Sequence, residues 1–138
     1  WAVFVLCLVA MLFMRQRHFH FTEKAIAWPD TLGLGLFTAA GVFAAIQAGL
    51  PSLVAVFMGV ITGVFGGVLR DIVCNEIPQA FKDHRPYAIC AFFGGWAYIA
   101  LRELDNPAYV NMLGCVLVTV GLRAFAVWRN VRLPEWRN

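Results

Sequence analysis

The residues best suited to act on a solute stand at the end of a glycine-rich, apolar stretch, GVITGVFGGVLRDI, from Gly59 to Ile72. In a regular helix, Arg70 would lie within about 20° of the direction of Gly59, eleven positions earlier, and so on the glycine side. Asp71 would point about 100° away from Arg70, which argues against a simple salt bridge between these neighbours. Charge inside a membrane usually serves function. We therefore predict Arg70 and Asp71 to be pore or gate charges.

The glycines of this stretch share one side of the predicted helix: Gly59, Gly63, Gly66 and Gly67. Small residues let membrane helices approach closely, and adjacent glycines favour a kink. A break would expose backbone groups that lipid cannot satisfy, so these groups would have to face protein or water. We predict a kinked, pore-lining helix with its hinge at Gly63, Gly66 and Gly67, and Gly59 in a packing face. The alternative is a packing stripe alone, with Arg70 snorkelling into the headgroups.

The composition places these residues in a membrane. Of 138 residues, 61% are hydrophobic and 14% are charged, whereas soluble domains carry about a quarter charged residues. No charge occurs from Thr31 to Leu69. As one helix, that run would span roughly 58 Å, about twice the hydrocarbon thickness of a bilayer. The chain is therefore predicted to be an all-α integral membrane protein, a polytopic helix bundle that turns back near residues 47–52.

About five membrane spans follow from the apolar runs, at 1–14, 31–49, 51–73 (the kinked one), 84–101 and 108–128. A loop at 15–30 follows the first span, and a tail at 129–138 follows the last. A crossing helix needs about 20 residues, so we interpret 1–14 as the end of a helix whose earlier part is missing. Lysines and arginines number three, zero, three, one and three in the successive segments after these spans. The positive-inside rule then places 15–30, 70–85 and the C-terminal tail in the cytoplasm.

The span before the glycine-rich stretch offers a second packing face. Gly33, Phe37 and Gly41 recur every four residues, as close packing between membrane helices requires. Asp30 is predicted to cap the N-terminus of this helix. Arg123, inside the last span near its cytoplasmic end, is predicted to be a snorkelling anchor.

The remaining reactive side chains form no constellation typical of catalysis or metal binding. The four cysteines have no paired spacing and are expected to be buried, inert thiols. The three histidines stand in polar turns and are expected to be solvated. The single serine, Ser52, has no histidine on its side of the membrane, so an enzyme is not expected. No metal site, cofactor or nucleic-acid partner is expected, and membrane lipid is the expected surrounding, with a bound lipid left open.

Two motifs resemble a known family. The sequence PDTLGLGLF, from Pro29 to Phe37, and the block from Gly59 to Asp71, followed by Glu76-Ile-Pro78, are similar to the prokaryotic TRIC (trimeric intracellular cation channel) family, also called the bacterial glycine transporter domain family. The resemblance implies a seven-helix protomer, with two three-helix repeats of inverted topology and a final helix. It also implies a homotrimer in the bacterial inner membrane. Residues 31–101 would form the second repeat and 108–128 the final helix, with 1–14 ending the first repeat.

The resemblance implies transport of a small solute through a pore within each protomer, and a monovalent cation, K+, is what the channel name implies. A glycine or small amino-acid transporter is the alternative, because an arginine beside a passage suits a carboxylate-bearing zwitterion. The third interpretation is a non-transporting assembly protein that uses its glycine faces only to associate.

Overall fold

A computed structural model of the chain describes residues 23–73, 75, 77–82 and 87–129. Every element in this part is a helix: α1 (Glu23–Gln47), α2 (Ser52–Val73), α3 (Gln79–Lys82), α4 (Tyr87–Glu103) and α5 (Ala108–Trp128). The prediction of an all-helical membrane bundle is confirmed. The predicted span 1–14, the tail from residue 130, two of the cysteines and all three histidines lie outside the described residues.

Three of the helices are long and apolar enough to cross a membrane: Trp28–Gln47, Ser52–Val73 and Ala108–Trp128. The fourth long helix, α4, has 17 residues, which corresponds to about 25 Å. α1 and α2 run antiparallel through the predicted turn, and α4 and α5 form a second antiparallel pair. The two pairs pack against each other through α1 with α5 and α2 with α4. The described helices therefore form one bundle.

The N-terminal part of α1 corrects the predicted loop at 15–30. The chain is already helical at Glu23, and Pro29 lies inside this helix. A proline removes one helical hydrogen bond and normally favours a helix start, which is why the sequence placed the start after it. The helix continues past Pro29 because the next residue, Asp30, is held by side chains from other helices, as described below.

The turn between α1 and α2 depends on one glycine. Gly49 has a φ of +76°, a conformation that favours glycine because it carries no Cβ. The amide of Gly49 donates to the carbonyl of Ile46, and the amide of Leu50 donates to the carbonyl of Ala45. These bonds satisfy carbonyls at the end of α1 that the helix itself leaves open. The chain can then reverse within a few residues and start α2.

Glycines lie at the closest approaches between the helices. A Cβ on Gly41 of α1 would be 2.9 Å from the Cα of Gly59 on α2, and a Cβ on Gly35 would be 3.2 Å from the Cα of Val116 on α5. A Cβ on Gly94 of α4 would be 3.0 Å from a carbonyl oxygen of α5. In lipid, where apolar surface gains little from association, such close backbone contact stabilises helix packing. These contacts fix the four long helices tightly enough to hold a polar site at one end.

Candidate functional site

A cluster of charged side chains lies inside the bundle at one end, and Asp30 is at its centre. Asp30 is buried within α1 and is not at a helix end. Its Oδ1 lies 3.0 Å from Nη2 of Arg70 on α2 and accepts a hydrogen bond of 3.2 Å from the hydroxyl of Tyr87 on α4. Its Oδ2 lies 3.2 Å from Nη2 of Arg123 on α5. One carboxylate therefore joins all four long helices, and the predicted role of Asp30 as a helix cap is wrong.

Arg123 is the most deeply buried cation in the described part of the chain, with 2% of its surface exposed. Its Nε donates to Oγ1 of Thr31 at 3.0 Å, and its guanidinium lies 4.2 Å from the ring centroid of Tyr87. A snorkelling arginine would extend toward the headgroups, so the prediction of a snorkelling anchor is wrong. The long side chain turns inward because Asp30 and the face of Tyr87 offer charge compensation that lipid does not.

Arg70 and Asp71 make a direct ion pair, contrary to the argument from their helical directions. Nε and Nη2 of Arg70 donate to Oδ1 of Asp71 at 2.9 and 2.6 Å. The flexible arginine side chain spans the 100° offset and folds back over its own helix. Because Nη2 also reaches Asp30, Arg70 bridges two carboxylates. Its side chain is 42% exposed, whereas that of Asp71 is buried.

The composition of this cluster determines what it can do chemically. It combines two arginines with two aspartates, so its formal charge is zero, and each carboxylate has a cation within 3.2 Å. Compensation of this kind is what makes buried charge tolerable. The Nη1 atom of Arg123 has no hydrogen-bond partner among the described residues. The cluster is therefore suited to holding four helix ends together, and to reorganising when Arg70, its exposed member, moves.

The glycine-rich helix α2 presents two rows of residues, each with a spacing of four. The packed row consists of Gly59, Gly63, Gly67 and Asp71, and it faces α1 and the charge cluster. A Cβ on Gly59 would be 2.8 Å from the carbonyl oxygen of Thr38, and one on Gly67 would be 2.8 Å from the hydroxyl of Tyr87. Close packing explains why the first three positions of this row are glycines.

The open row of α2 consists of Thr62, Gly66 and Arg70, and it is partly exposed. Thr62 donates from its hydroxyl to the carbonyl of Met58 at 2.7 Å. Gly66 leaves a gap in the row, and the ring of Phe37 from α1 covers that gap. The open row thus carries a hydroxyl, a glycine covered by the Phe37 ring and a guanidinium along one side of the helix.

The structure places the predicted hinge inside a continuous helix. α2 is unbroken from Ser52 to Val73, so the doublet Gly66-Gly67 does not divide it into two half-helices. The helix also continues past Arg70, since Asp71 to Val73 belong to α2. The space beside each of the two glycines is filled from another helix, by Phe37 and by Tyr87. These contacts support α2 where its own side chains are missing.

The predicted packing face Gly33, Phe37, Gly41 and Gly59 divides into two parts. Gly41 and Gly59 lie directly against each other at the crossing of α1 and α2. Gly33 has only Phe37 nearby, 4.0 Å from the position of a Cβ, and Phe37 is 49% exposed. Gly63, predicted as part of the hinge, packs against Leu34, with 3.1 Å between the position of its Cβ and the carbonyl oxygen. Cys90 and Cys115, the two cysteines in the described part, are buried.

Comparison with known sequences identifies the chain through the helices just described. The sequence model of the glycine transporter family matches residues 27–103, from the second turn of α1 to the end of α4. This chain belongs to the glycine transporter family. The family match includes Asp30, both rows of α2 and Tyr87, while Arg123 lies beyond it on α5. Membership in a family of transporters and channels agrees with the expectation that the protein is not an enzyme.

Relatives of the chain are bacterial membrane proteins. A UPF0126 membrane protein of Vibrio cholerae is 30% identical over 99% of this chain and 56% of its own length. A UPF0126 membrane protein of Deinococcus radiodurans is 35% identical over 83% of this chain and 54% of its own length. The inner membrane protein YadS of Escherichia coli is 35% identical over 78% of this chain and 52% of its own length. The chain thus spans about half the length of these relatives.

Two solved structures share the fold. One is a structure from work on conductance through TRIC cation channels. It matches this chain with a TM-score of 0.73 and 30% sequence identity, and the match covers 94% of this chain and 63% of the chain in that structure. The other is the TRIC trimeric intracellular cation channel orthologue from Rhodobacter sphaeroides. It has a TM-score of 0.75 at 27% identity and covers 88% of this chain and 62% of its own. The resemblance to the TRIC family is confirmed, and the fold is that of these channels.

Proposed function

We propose that the complete protein conducts a small solute across the membrane through a passage within each protomer, and that the solute is a monovalent cation such as K+. The observation that carries the proposal is the open row of α2, where Thr62, Gly66 and Arg70 follow one another beside a buried charge cluster. Apolar lipid contact alone would not call for a hydroxyl and a guanidinium on one side of a membrane helix. The likeness to TRIC cation channels supports the same interpretation.

The charge balance of the cluster favours a cation over an anionic or zwitterionic solute. A lone guanidinium beside the passage would repel K+, but Arg70 is bridged to two carboxylates at 3.0 and 2.6 Å. Its field is therefore largely compensated at short range. A carboxylate-bearing solute would have to displace Asp30 or Asp71 from Arg70 in order to bind there. The cluster as arranged favours K+, and it makes Arg70 the element that would reorganise between closed and open states.

Glycine is the second candidate solute, and one feature favours it. The side chain of Arg70 is 42% exposed, so a carboxylate arriving along the open row would reach a guanidinium without first entering the buried part of the cluster. Guanidinium and carboxylate form strong, directional hydrogen bonds. In this alternative, Arg70 would exchange one of its two aspartates for the solute.

We further propose an orientation and an assembly. The cluster end would face the cytoplasm, because the basic segments flank that end of the helices. Trp28 and Trp128, at the same end, are 58% and 83% exposed, as tryptophans at a membrane interface would be. By likeness to the trimeric orthologue, the protein would be a homotrimer in the bacterial inner membrane, surrounded by lipid, with its C-terminus in the cytoplasm.

Flux measurements on the full-length protein in proteoliposomes test the proposed function. K+ flux under an imposed voltage, without accumulation of radiolabelled glycine, is the expected result. Glycine accumulation without K+ flux would replace the channel with the transporter. An intact oligomer that passes neither solute would favour the assembly protein. Gly121→Ala is the matched control, because no atom lies within 4 Å of the position of its Cβ, and it should behave as the unmodified protein.

The hinge at Gly63, Gly66 and Gly67 remains a proposal about motion. We propose that these glycines let α2 bend when the passage opens. Gly67→Ala tests it most directly, because its methyl group would meet the Tyr87 hydroxyl at 2.8 Å and stiffen the helix where the doublet now leaves it free. A hinge predicts a lower flux from an oligomer that still assembles. Unchanged flux would contradict it.

A further inference from the structure

Phe37 occupies an unusual position between the two antiparallel helices α1 and α2. A Cβ on Gly66 would be 3.0 Å from Cδ2 and 3.3 Å from Cε2 of the Phe37 ring. On its own helix, Gly33 stands one turn before Phe37, with its Cβ position 4.0 Å from Cε2. The ring thus rests in a notch formed by two glycines. We call this the Gly33–Gly66 notch.

The notch interrupts the open row between its two polar members. Gly66 is four residues from Thr62 and four from Arg70, so the ring lies about 6 Å along the helix axis from each of them. Without the ring, only the backbone of Gly66 would lie between the Thr62 hydroxyl and the Arg70 guanidinium along this side of α2. With the ring in the notch, an apolar plate separates them. A hydrated ion cannot pass such a plate without losing its water.

The ring is only partly packed. It is 49% exposed, and its neighbours Gly33 and Gly66 carry no side chain that would hold it. Core aromatic residues, by contrast, are held on all sides by close packing. Thr38, the next residue on α1 and about 100° round the helix, is fully buried, and its hydroxyl donates to the carbonyl of Leu34 at 2.7 Å. The side of α1 that carries Thr38 is therefore packed inside the bundle, whereas the side that carries Phe37 is partly exposed.

We propose that Phe37 is an aromatic gate residue, which closes the passage when its ring lies in the Gly33–Gly66 notch and opens it when the ring rotates out. This inference rests on the proposed function, since it assigns a role within the same passage. It also gives Gly66 a function apart from bending, because any side chain at this position would exclude the ring from its seat. Phe37 would change the width and polarity of the proposed passage and would not bind the solute.

Potassium flux through proteoliposomes containing full-length variants tests the gate. Phe37→Ala removes the ring from the notch. Phe65→Ala is the matched control, because Phe65 is an aromatic residue next to Gly66 that is 60% exposed and has no atom within 4 Å of the Cβ position of Gly33. Minor open conformers are typically populated at about 10% or less, so removing the gate should raise the flux roughly tenfold or more. The control should conduct as the unmodified protein does. If the unmodified protein conducts K+ and the flux through Phe37→Ala equals the flux through both the unmodified protein and Phe65→Ala, the gate proposal is wrong. The proposed function would not be affected by that result.

A second measurement tests the gate proposal without relying on flux. If no variant conducts, that result counts against the proposed function, and the labelling experiment still tests the position of the ring. Thr62→Cys, in a protein whose native cysteines are replaced, is exposed to a membrane-impermeant methanethiosulfonate reagent from the cluster side. With Phe37 present, labelling should be slow, and with Phe37→Ala it should be at least roughly tenfold faster. Equal labelling rates in the two backgrounds would overturn the gate. Faster labelling in Phe37→Ala, but not in Phe65→Ala, would support it.

Discussion

Replacing Asp30 by asparagine tests the charge cluster most directly. The substitution keeps the size of the side chain and an oxygen that can accept a hydrogen bond, and it removes one negative charge. The cluster would change from two arginines with two aspartates to two arginines with one. Arg70 would keep Asp71, which lies 2.6 Å from its Nη2. Arg123 would lose the carboxylate 3.2 Å away and retain Thr31 and the ring of Tyr87.

The expected loss of stability follows from the exposure of the two arginines. Arg123 is 2% exposed, so it cannot turn to water, and a buried charge left without its partner costs about 3–5 kcal/mol. Arg70 is 42% exposed, so the loss of its pair with Asp30 should cost as much as the loss of a surface ion pair, about 0–1 kcal/mol. Because asparagine still accepts a hydrogen bond, we expect the lower end of the buried range, about 3 kcal/mol. Arg102→Met, which replaces an exposed arginine at the end of α4 outside the cluster, is the matched control and should cost about 1 kcal/mol or less.

Equilibrium unfolding of the full-length protein in mild detergent, followed by tryptophan fluorescence and circular dichroism, measures these differences. The double variant Asp30→Asn with Arg123→Met removes both buried charges, and it should recover at least about half of the loss seen with Asp30→Asn alone. A loss below about 1 kcal/mol for Asp30→Asn, or a double variant as unstable as the sum of its parts, would refute the argument that Asp30 compensates a buried cation.

Two further predictions concern packing and hydrogen bonding. Gly59→Ala should destabilise the protein by about 1–3 kcal/mol, because its methyl group would meet Val42 and lie 2.8 Å from the carbonyl of Thr38. Gly121→Ala should be neutral or slightly stabilising, so equal thermal unfolding midpoints for the two variants would contradict the close-packing argument. Tyr87→Phe removes the hydroxyl that donates to Asp30 at 3.2 Å but keeps the ring beneath Arg123. It should cost about 1 kcal/mol, and a loss as large as that of Asp30→Asn would be inconsistent with the hydroxyl making one hydrogen bond.

Features that depend on local composition could be predicted from the sequence. The absence of charge between Thr31 and Leu69 required two crossings, and the described helices α1 and α2 follow from it. The turn at Gly49 could also be predicted, because a glycine and a proline stand close together at the end of an apolar run. The glycine spacing on α2 indicated close packing, and Gly41 and Gly59 do lie against each other. In each case, the signal is contained within a few neighbouring residues.

Features that depend on residues distant in the chain were missed. Asp30 and Arg123 are 93 positions apart, and each has an ordinary local explanation: a carboxylate after a proline resembles a helix cap, and an arginine near a membrane boundary resembles an anchor. The pairing arises because α1 and α5 pack side by side. One signal was available, since each is the single charge of its own apolar helix and lies near the same end of the bundle, and isolated membrane charges of opposite sign at the same depth favour pairing. The two rows of α2 were likewise merged into one stripe, since only the position of α1 separates Gly66 from Gly63 and Gly67.

The charge cluster also shows why the last helix is more than an addition to the three-helix repeat. The family match ends at residue 103, and the part of the cluster inside it contains Asp30, Asp71 and Arg70, with an excess of one negative charge. Arg123, supplied by α5, brings the sum to zero. A buried carboxylate without this compensation would destabilise the end of the bundle by several kcal/mol. The repeat and the final helix therefore stabilise each other through one ion pair, and neither is expected to keep this arrangement alone. Any motion of Arg70 away from Asp30 would also leave Arg123 as the remaining counter-charge, so the buried pair keeps the helices joined while the exposed arm is free to move.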